Sequence, residues 1–362
     1  SLIKLKVIIM ISRVFFHIGL HKTGSSSIQQ SLKSYDDGST FYADLGLANH
    51  SEPLISIFSS KSLKYRNFIN QGLNRSQIES FKKISLKKLN AEINKDRNQM
   101  ILSGEDLSDL GEDDIKKLIS FFDEKKIKLI FIAYIRNPKD WRKSTFQQKI
   151  KGGECYVKNA FSENFRLLGR LQRFNLFLGS NDFIIKDFSR SKLKKGCVVS
   201  DFCNEINIDP PNQIINANQS LSLPAIKLLL LFNNSSTLSS GNREILIARY
   251  KLIDFLKDSY KECDPIDSRY FSTEKDSFSI KKAFEEFKIM FETPEHDSKF
   301  NLEALKKQVE DLEDINLDPL DIWLEREKFN PNYFKSPESK LLAIFYKLMM
   351  NTYYFRKIAK KI

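Results

Sequence analysis

The sequence predicts an α/β fold: a central parallel sheet flanked by helices, with a largely helical C-terminal extension. Two observations carry this expectation. Short, almost uninterrupted apolar runs recur at residues 14–18, 99–103, 128–135 and 182–186, as strands buried on both faces of a parallel sheet require. Segments of helical periodicity lie between them, and beyond residue 200 that periodicity takes over.

The first run, Val14-Phe15-Phe16-His17-Ile18, stops at Gly19 and gives way to a small-residue loop, after which residues 26–33 read as a helix. Gln99-Met100-Ile101-Leu102-Ser103 opens a second strand, and residues 128–135 give the strongest strand signal in the chain. Helices are expected over 76–96 and over 113–125, where Leu118, Phe121 and Phe122 share a face. A further helix over 161–177 precedes the run at 182–186, which completes the sheet. Loop chemistry at Asp209-Pro210-Pro211 marks the change of character. Pro224 suits a helix start, and Pro265, Pro294, Pro319, Pro331 and Pro337 punctuate the remainder. The expected division is a core over residues 1–200 and a mainly helical extension over residues 201–362, packed on that core.

With 41% apolar and 29% charged residues over 362 positions, the chain can bury a large core, which excludes a disordered polymer. Cys155, Cys197, Cys203 and Cys263 form no CxxC pair and accompany no paired histidines, so neither a zinc site nor a disulfide framework is expected, and a reducing cytoplasm is the simplest home. The apolar run at residues 7–11 is too short to span a bilayer and reads as the lead-in to a strand, with Met10 an alternative natural start. The net charge of +12 calls for anionic company, and residues 335–362 hold seven basic residues against one acid, 7 − 1 = +6. Leu341, Phe345, Leu348, Phe355 and Ile358 among those lysines fit packing against the extension; peripheral contact with the inner face of an anionic membrane is the alternative. No nucleic-acid motif is present, and the 29 phenylalanines sit in periodic segments that read as core, so no nucleic-acid partner is expected.

The chemistry is concentrated in three segments. In His17-Ile18-Gly19-Leu20-His21-Lys22-Thr23-Gly24-Ser25-Ser26-Ser27 a strand turns into a helix, where free backbone amides meet an anion. Gly19 and Gly24 permit close backbone approach, Lys22 supplies charge, and Thr23, Ser25 and Ser26 supply hydroxyl donors. A Walker A loop places its lysine after the second glycine; here Lys22 precedes Gly24. The second segment, Tyr134-Ile135-Arg136-Asn137-Pro138-Lys139-Asp140, carries a guanidinium at a strand end, with Ser144 eight residues after it, both suited to phosphate oxygens. The third, Ser103-Gly104-Glu105-Asp106, is a polar elbow after a strand, with Glu105 directed to the ligand side. Helix capping by Glu105 or Asp106 is the competing structural reading.

Together these segments resemble the sulfotransferases that use 3′-phosphoadenosine 5′-phosphosulfate (PAPS), in bacterial, carbohydrate-sulfating form, over roughly residues 14–235. The resemblance implies a P-loop-NTPase-like sheet; a 5′-phosphosulfate site at His21, Lys22, Thr23, Gly24, Ser25 and Ser26; and a 3′-phosphate site at Arg136 and Ser144. It also implies Glu105 as the base where cytosolic members carry histidine. His50 is a second candidate base, and Lys22 is a catalytic cation. Asn218-Gln219-Ser220-Leu221-Ser222 matches a stretch frequent in bacterial members. The Gly-x-x-Gly-x-x-Lys segment that closes over the nucleotide has no clear counterpart, and residues 192–196 are the nearest substitute. The implied reaction moves a sulfuryl group to a hydroxyl or amine of a glycan or glycolipid, without a metal, and releases 3′,5′-adenosine bisphosphate (PAP). The helical extension is expected to contribute to acceptor binding. A P-loop kinase or ATPase using ATP and Mg²⁺ held by Asp106 is the alternative, and the lysine order argues against it.

Overall fold

A computed structural model of the chain describes residues 11–161, 167–179, 181–217, 220–235, 243–273, 276–291 and 301–359. Met10, Asn218, Gln219 and part of the helix expected over 161–177 lie outside them. The chain forms two compact units that interleave along the sequence: residues 1–137, 165–218 and 277–292 make the first, and 138–164, 219–276 and 293–362 the second. The chain first passes between them at residue 138, well before the change of character at residue 200.

In chain order the elements are β1 (Arg13–His17), α1 (Ser25–Leu32), β2 (Thr40–Tyr42), α2 (Ser51–Phe58), α3 (Arg66–Asn70), α4 (Arg75–Ile93), β3 (Gln99–Ser103), α5 (Glu112–Asp123), β4 (Lys128–Ile135), α6 (Pro138–Lys151) and α7 (Val157–Ala160). There follow α8 (Leu167–Asn175), β5 (Phe183–Asp187), α9 (Val198–Glu205), α10 (Leu223–Ser235), α11 (Arg243–Ser259), α12 (Asp276–Phe287), α13 (Leu302–Glu310), α14 (Asp318–Arg326) and α15 (Pro337–Ala359).

The first unit is the predicted α/β fold: five parallel strands in the order β2-β3-β1-β4-β5, flanked by helices. All four strands expected from apolar runs are present. The three-residue β2 is too short to show a periodicity and was not foreseen. β1 occupies the centre because it is apolar on both faces: Val14 and Phe16 are fully buried, and Phe16 stacks on Phe131 with ring centroids 5.1 Å apart. Opposite that layer, α1 and α9 press Ile28, Leu32, Val199 and Phe202 against Phe15 and Ile132. Each such side chain contributes about 1.5–3 kcal/mol on burial. α4 begins where a capping box satisfies its first amides, Asn74 accepting from the Gln77 amide and Gln77 from the Asn74 amide. Chain order reverses around β1, so the crevice at a switch point falls at the carboxyl ends of β3, β1 and β4.

The second unit is helical in its described residues. Leu228, Leu229, Phe232, Leu252, Leu324 and Leu341 share its core. The C-terminal helix contributes Ile344 and Phe345 to the same core, with Leu348 half-buried against it; nothing is described of the side chains of Phe355 and Ile358. Among the described residues, no helix is long and apolar enough to cross a membrane. Arg249 closes the carboxyl end of α6, donating to the Lys151 and Ile150 carbonyls at 2.8 and 3.0 Å. Arg142 Nη1 lies 2.6 Å from Asp276 Oδ1, with both side chains 1% exposed. Asp276→Ala leaves that guanidinium buried without its carboxylate and is expected to lower stability by about 3–5 kcal/mol, read from the midpoint of urea denaturation.

Candidate active site

β1 ends at His17, and the loop that follows stays zipped to β4: Leu20 donates its amide to the Tyr134 carbonyl at 3.0 Å and accepts no slack there, because Tyr134 donates in turn to the Gly19 carbonyl at 2.7 Å. Further along, Arg136 Nη1 donates to the Lys22 carbonyl at 3.1 Å. Lys22 has φ 69°, a left-handed conformation that costs a non-glycine residue about 1–2 kcal/mol. The loop ends at Gly24, with φ 79°, which no side chain caps; the Ser27 amide turns back to the Gly24 carbonyl at 2.9 Å, which leaves the Ser25 and Ser26 amides as the ones an anion could take. A Cβ at Gly24 would lie 2.8 Å from Val198 Cγ1, which explains the glycine.

The loop hydroxyls divide by role. Thr23 is fully buried, and its Oγ1 donates to the Leu20 carbonyl at 2.5 Å, so its proton shapes the loop; this replaces the expectation of a hydroxyl turned to a ligand. Ser25 points weakly at the same carbonyl, at 3.4 Å. Ser26 is half-buried. Lys22 makes no ion pair among the described residues. Burial holds its ammonium below the usual lysine range, Arg136 and Arg66 push it further down, and Glu105 opposes them.

The elbow after β3 is wedged against this loop. A Cβ at Gly19 would lie 3.1 Å from Glu105 Cβ, so the glycine is what lets Glu105 approach. Glu105 keeps a side chain 24% exposed, with Oε2 3.6 Å from His21 Nδ1, while His21 Nε2 lies 3.1 Å from Asp106 Oδ1. Burial works against charge on His21, but the bond it donates to Asp106 and the nearby Glu105 carboxylate outweigh it and raise the imidazole to about 9. His21 is therefore an imidazolium at neutral pH. Asp106 also accepts from the Tyr65 hydroxyl. Although burial penalises its charge, His21, Tyr65 and Arg66 together hold it below the usual carboxylate range.

His50 is turned to the backbone of β3. It is fully buried at the start of α2, its Nδ1 accepts the Ser103 amide at 3.1 Å, and its own amide donates to the Ser103 carbonyl at 2.8 Å. With its lone pair occupied and burial pushing it down to about 3, it is a neutral tie between α2 and β3 instead of the second candidate base. On the other side of Ser103, His17 Nδ1 sits 2.7 Å from Ser103 Oγ, and burial lowers its pKa to about 4. Ser144 lies on α6, in the second unit. The stretch at 192–196 is pinned, with Lys192 Nζ 2.9 Å from Asp187 and the Lys194 amide 3.0 Å from Asp201. His21, Asp106 and Asp109 converge closely enough to hold a cation. A metal there would have to displace the His21 proton and Arg170, whose Nε is 2.9 Å from Asp109.

Sequence reasoning missed Tyr65, Arg66 and Phe188. Phe188 lies under the Arg136 guanidinium, 5.4 Å from its ring centroid, and against Gly24. No local pattern signals these residues, because each meets its partner across a long stretch of chain.

No family model matches the chain, and no curated protein matches it. Among solved structures, the crystal structure of a sulfotransferase from Alicyclobacillus acidocaldarius is similar at 13% identity, covering 66% of this chain and 95% of that one with a TM-score of 0.36. A likeness this distant carries no argument about activity.

Two outcomes check the site's electrostatics. His21 has a folded pKa above its unfolded value of 6.5, so its stabilising contribution is complete below that value and is lost as pH rises through about 9. The stability gap between the protein and His21→Gln should therefore close between pH 7 and pH ~10 in denaturation series. His50→Ala removes the partner of a buried amide and is expected to cost about 1–3 kcal/mol in the same measurement at neutral pH.

Proposed function

We propose that this chain is a sulfotransferase that moves a sulfuryl group from PAPS to a hydroxyl of a carbohydrate or glycolipid acceptor, releasing PAP. The observation that carries this reading is the meeting of two separate motifs: Arg136, at the end of β4, grips the carbonyl of Lys22, whose ammonium makes no ion pair among the described residues. Two cations at one switch point, beside an uncapped helix start, suit a ligand with phosphate and sulfate groups. The four free cysteines fit a cytoplasmic setting.

The donor supplies a sulfuryl group on a phosphate leaving group. Glu105 takes the acceptor's hydroxyl proton as the new S–O bond forms and the bond from sulfur to the bridging phosphate oxygen breaks. Lys22 and the first-turn amides of α1 offset the negative charge that grows on the sulfuryl and leaving phosphate oxygens. The His21 imidazolium, 3.6 Å from Glu105, orients that carboxylate and is not itself a base. Arg136 binds the 3′-phosphate and at the same time braces the loop through the Lys22 carbonyl.

PAP should raise the melting temperature of the protein without added metal, and Arg136→Ala should abolish the rise. In a turnover assay Lys22→Ala should cost about 10²–10³-fold in kcat. Stabilisation by ATP with Mg²⁺ and none by PAP would replace this reading with a kinase.

A further inference from the structure

Between Glu52 and Glu79 the chain holds no acid, yet it holds Lys61, Lys64, Arg66 and Arg75. Three of these four cations fall within six residues, and the tertiary structure carries that run to the elbow. The link is Tyr65, whose hydroxyl donates to Asp106 and accepts from Asn67 Nδ2 at 3.1 Å. Asn67 and Gln71 in turn hold Glu52 Oε1, at 3.2 and 3.0 Å, so the acid nearest in sequence is fastened to neutral amides. Arg66, next to Tyr65, is exposed and makes no ion pair among the described residues. It nevertheless lies near enough to act on the charges of both Lys22 and Asp106. Lys61 and Lys64 are likewise exposed and make no ion pair among the described residues.

We propose that the acceptor is anionic, a glycan bearing a carboxylate or sulfate near the hydroxyl to be modified, and that Arg66 is the residue that selects it. This rests on the sulfotransferase reading. Lys22 and Arg136 serve the donor. The acceptor hydroxyl must reach Glu105; Tyr65 bonds Asp106, the next residue of that elbow, and Arg66 follows Tyr65 in the chain, within electrostatic reach of Asp106. A guanidinium there meets a carboxylate or sulfate in a two-bond fork, and Lys61 and Lys64 extend the positive field along the incoming chain. The charge also suits the site: His21 offsets only one of the two carboxylate charges of Glu105 and Asp106, and Arg66 supplies a second cation against the remaining repulsion of an anionic acceptor.

The test measures, in saturating PAP, binding of two oligosaccharides of equal length, one with a carboxylate in every disaccharide and one neutral. The carboxylated probe should bind at least about tenfold tighter at low salt. Arg66→Ala should erase most of that preference and Arg66→Lys restore part of it, while the PAP-induced melting shift stays unchanged in both. Lys83→Ala, which removes an exposed charge from α4, should leave the preference intact. Equal binding of the two probes, or equal losses in Arg66→Ala and Lys83→Ala, overturns the proposal. Absence of a PAP shift in the unmodified protein overturns the donor assignment separately, since the oligosaccharide comparison reads Arg66 on its own.

Discussion

The backbone ladder on both sides of β1 governs everything functional in the first unit. β1 pairs with β3 on one side and β4 on the other, and the pairing does not stop where the strand stops. Ile18 and Leu20 go on donating to the carbonyls of Ile132 and Tyr134, and the Gly104 amide donates back to the His17 carbonyl at 2.9 Å. The loop, the Arg136 strand end and the elbow are thus parts of one hydrogen-bonded edge. A left-handed residue at Lys22 is tolerable because its neighbours are held by main-chain bonds that a side-chain change does not remove.

On that edge the charges are arranged by contrast. Lys22 is half-buried and makes no ion pair with a carboxylate among the described residues, so its charge is available to an incoming anion. One residue earlier, His21 is held as a cation by two carboxylates and is spent on organising the elbow. Adjacent residues take opposite parts because His21 contacts both carboxylates, whereas Lys22 feels Glu105 without an ion-pair contact to it.

Beneath the elbow, Ser103 is fixed from both sides by neutral histidines, His17 through its hydroxyl and His50 through its backbone. Gly104 must remain a glycine for the same reason: a Cβ there would lie 2.9 Å from the Ser51 amide at the start of α2. Asp106 donates its amide to Ser51 Oγ at 3.1 Å, which completes the clamp. Rigid support of this kind is what the role proposed for Glu105 needs, since a proton acceptor works only at a reproducible distance.

The sequence by itself determined the parallel sheet, because strands buried on both faces must be apolar throughout, and it marked the cradle, the Arg136 strand end and the Glu105 elbow, because strand-to-loop transitions carry local signals in glycine, serine and charge. It did not disclose β2, whose three residues are too few for a period, nor the roles of Thr23 and His50, whose partners are backbone groups. Nor did it connect Tyr65 to Asp106 or Phe188 to Arg136, pairs separated by 41 and 52 residues, 106 − 65 and 188 − 136. Which histidine is charged, which hydroxyl is bonded to the backbone and which arginine acts on the carboxylates are set by burial and distance, and those exist only once the strands have been laid side by side.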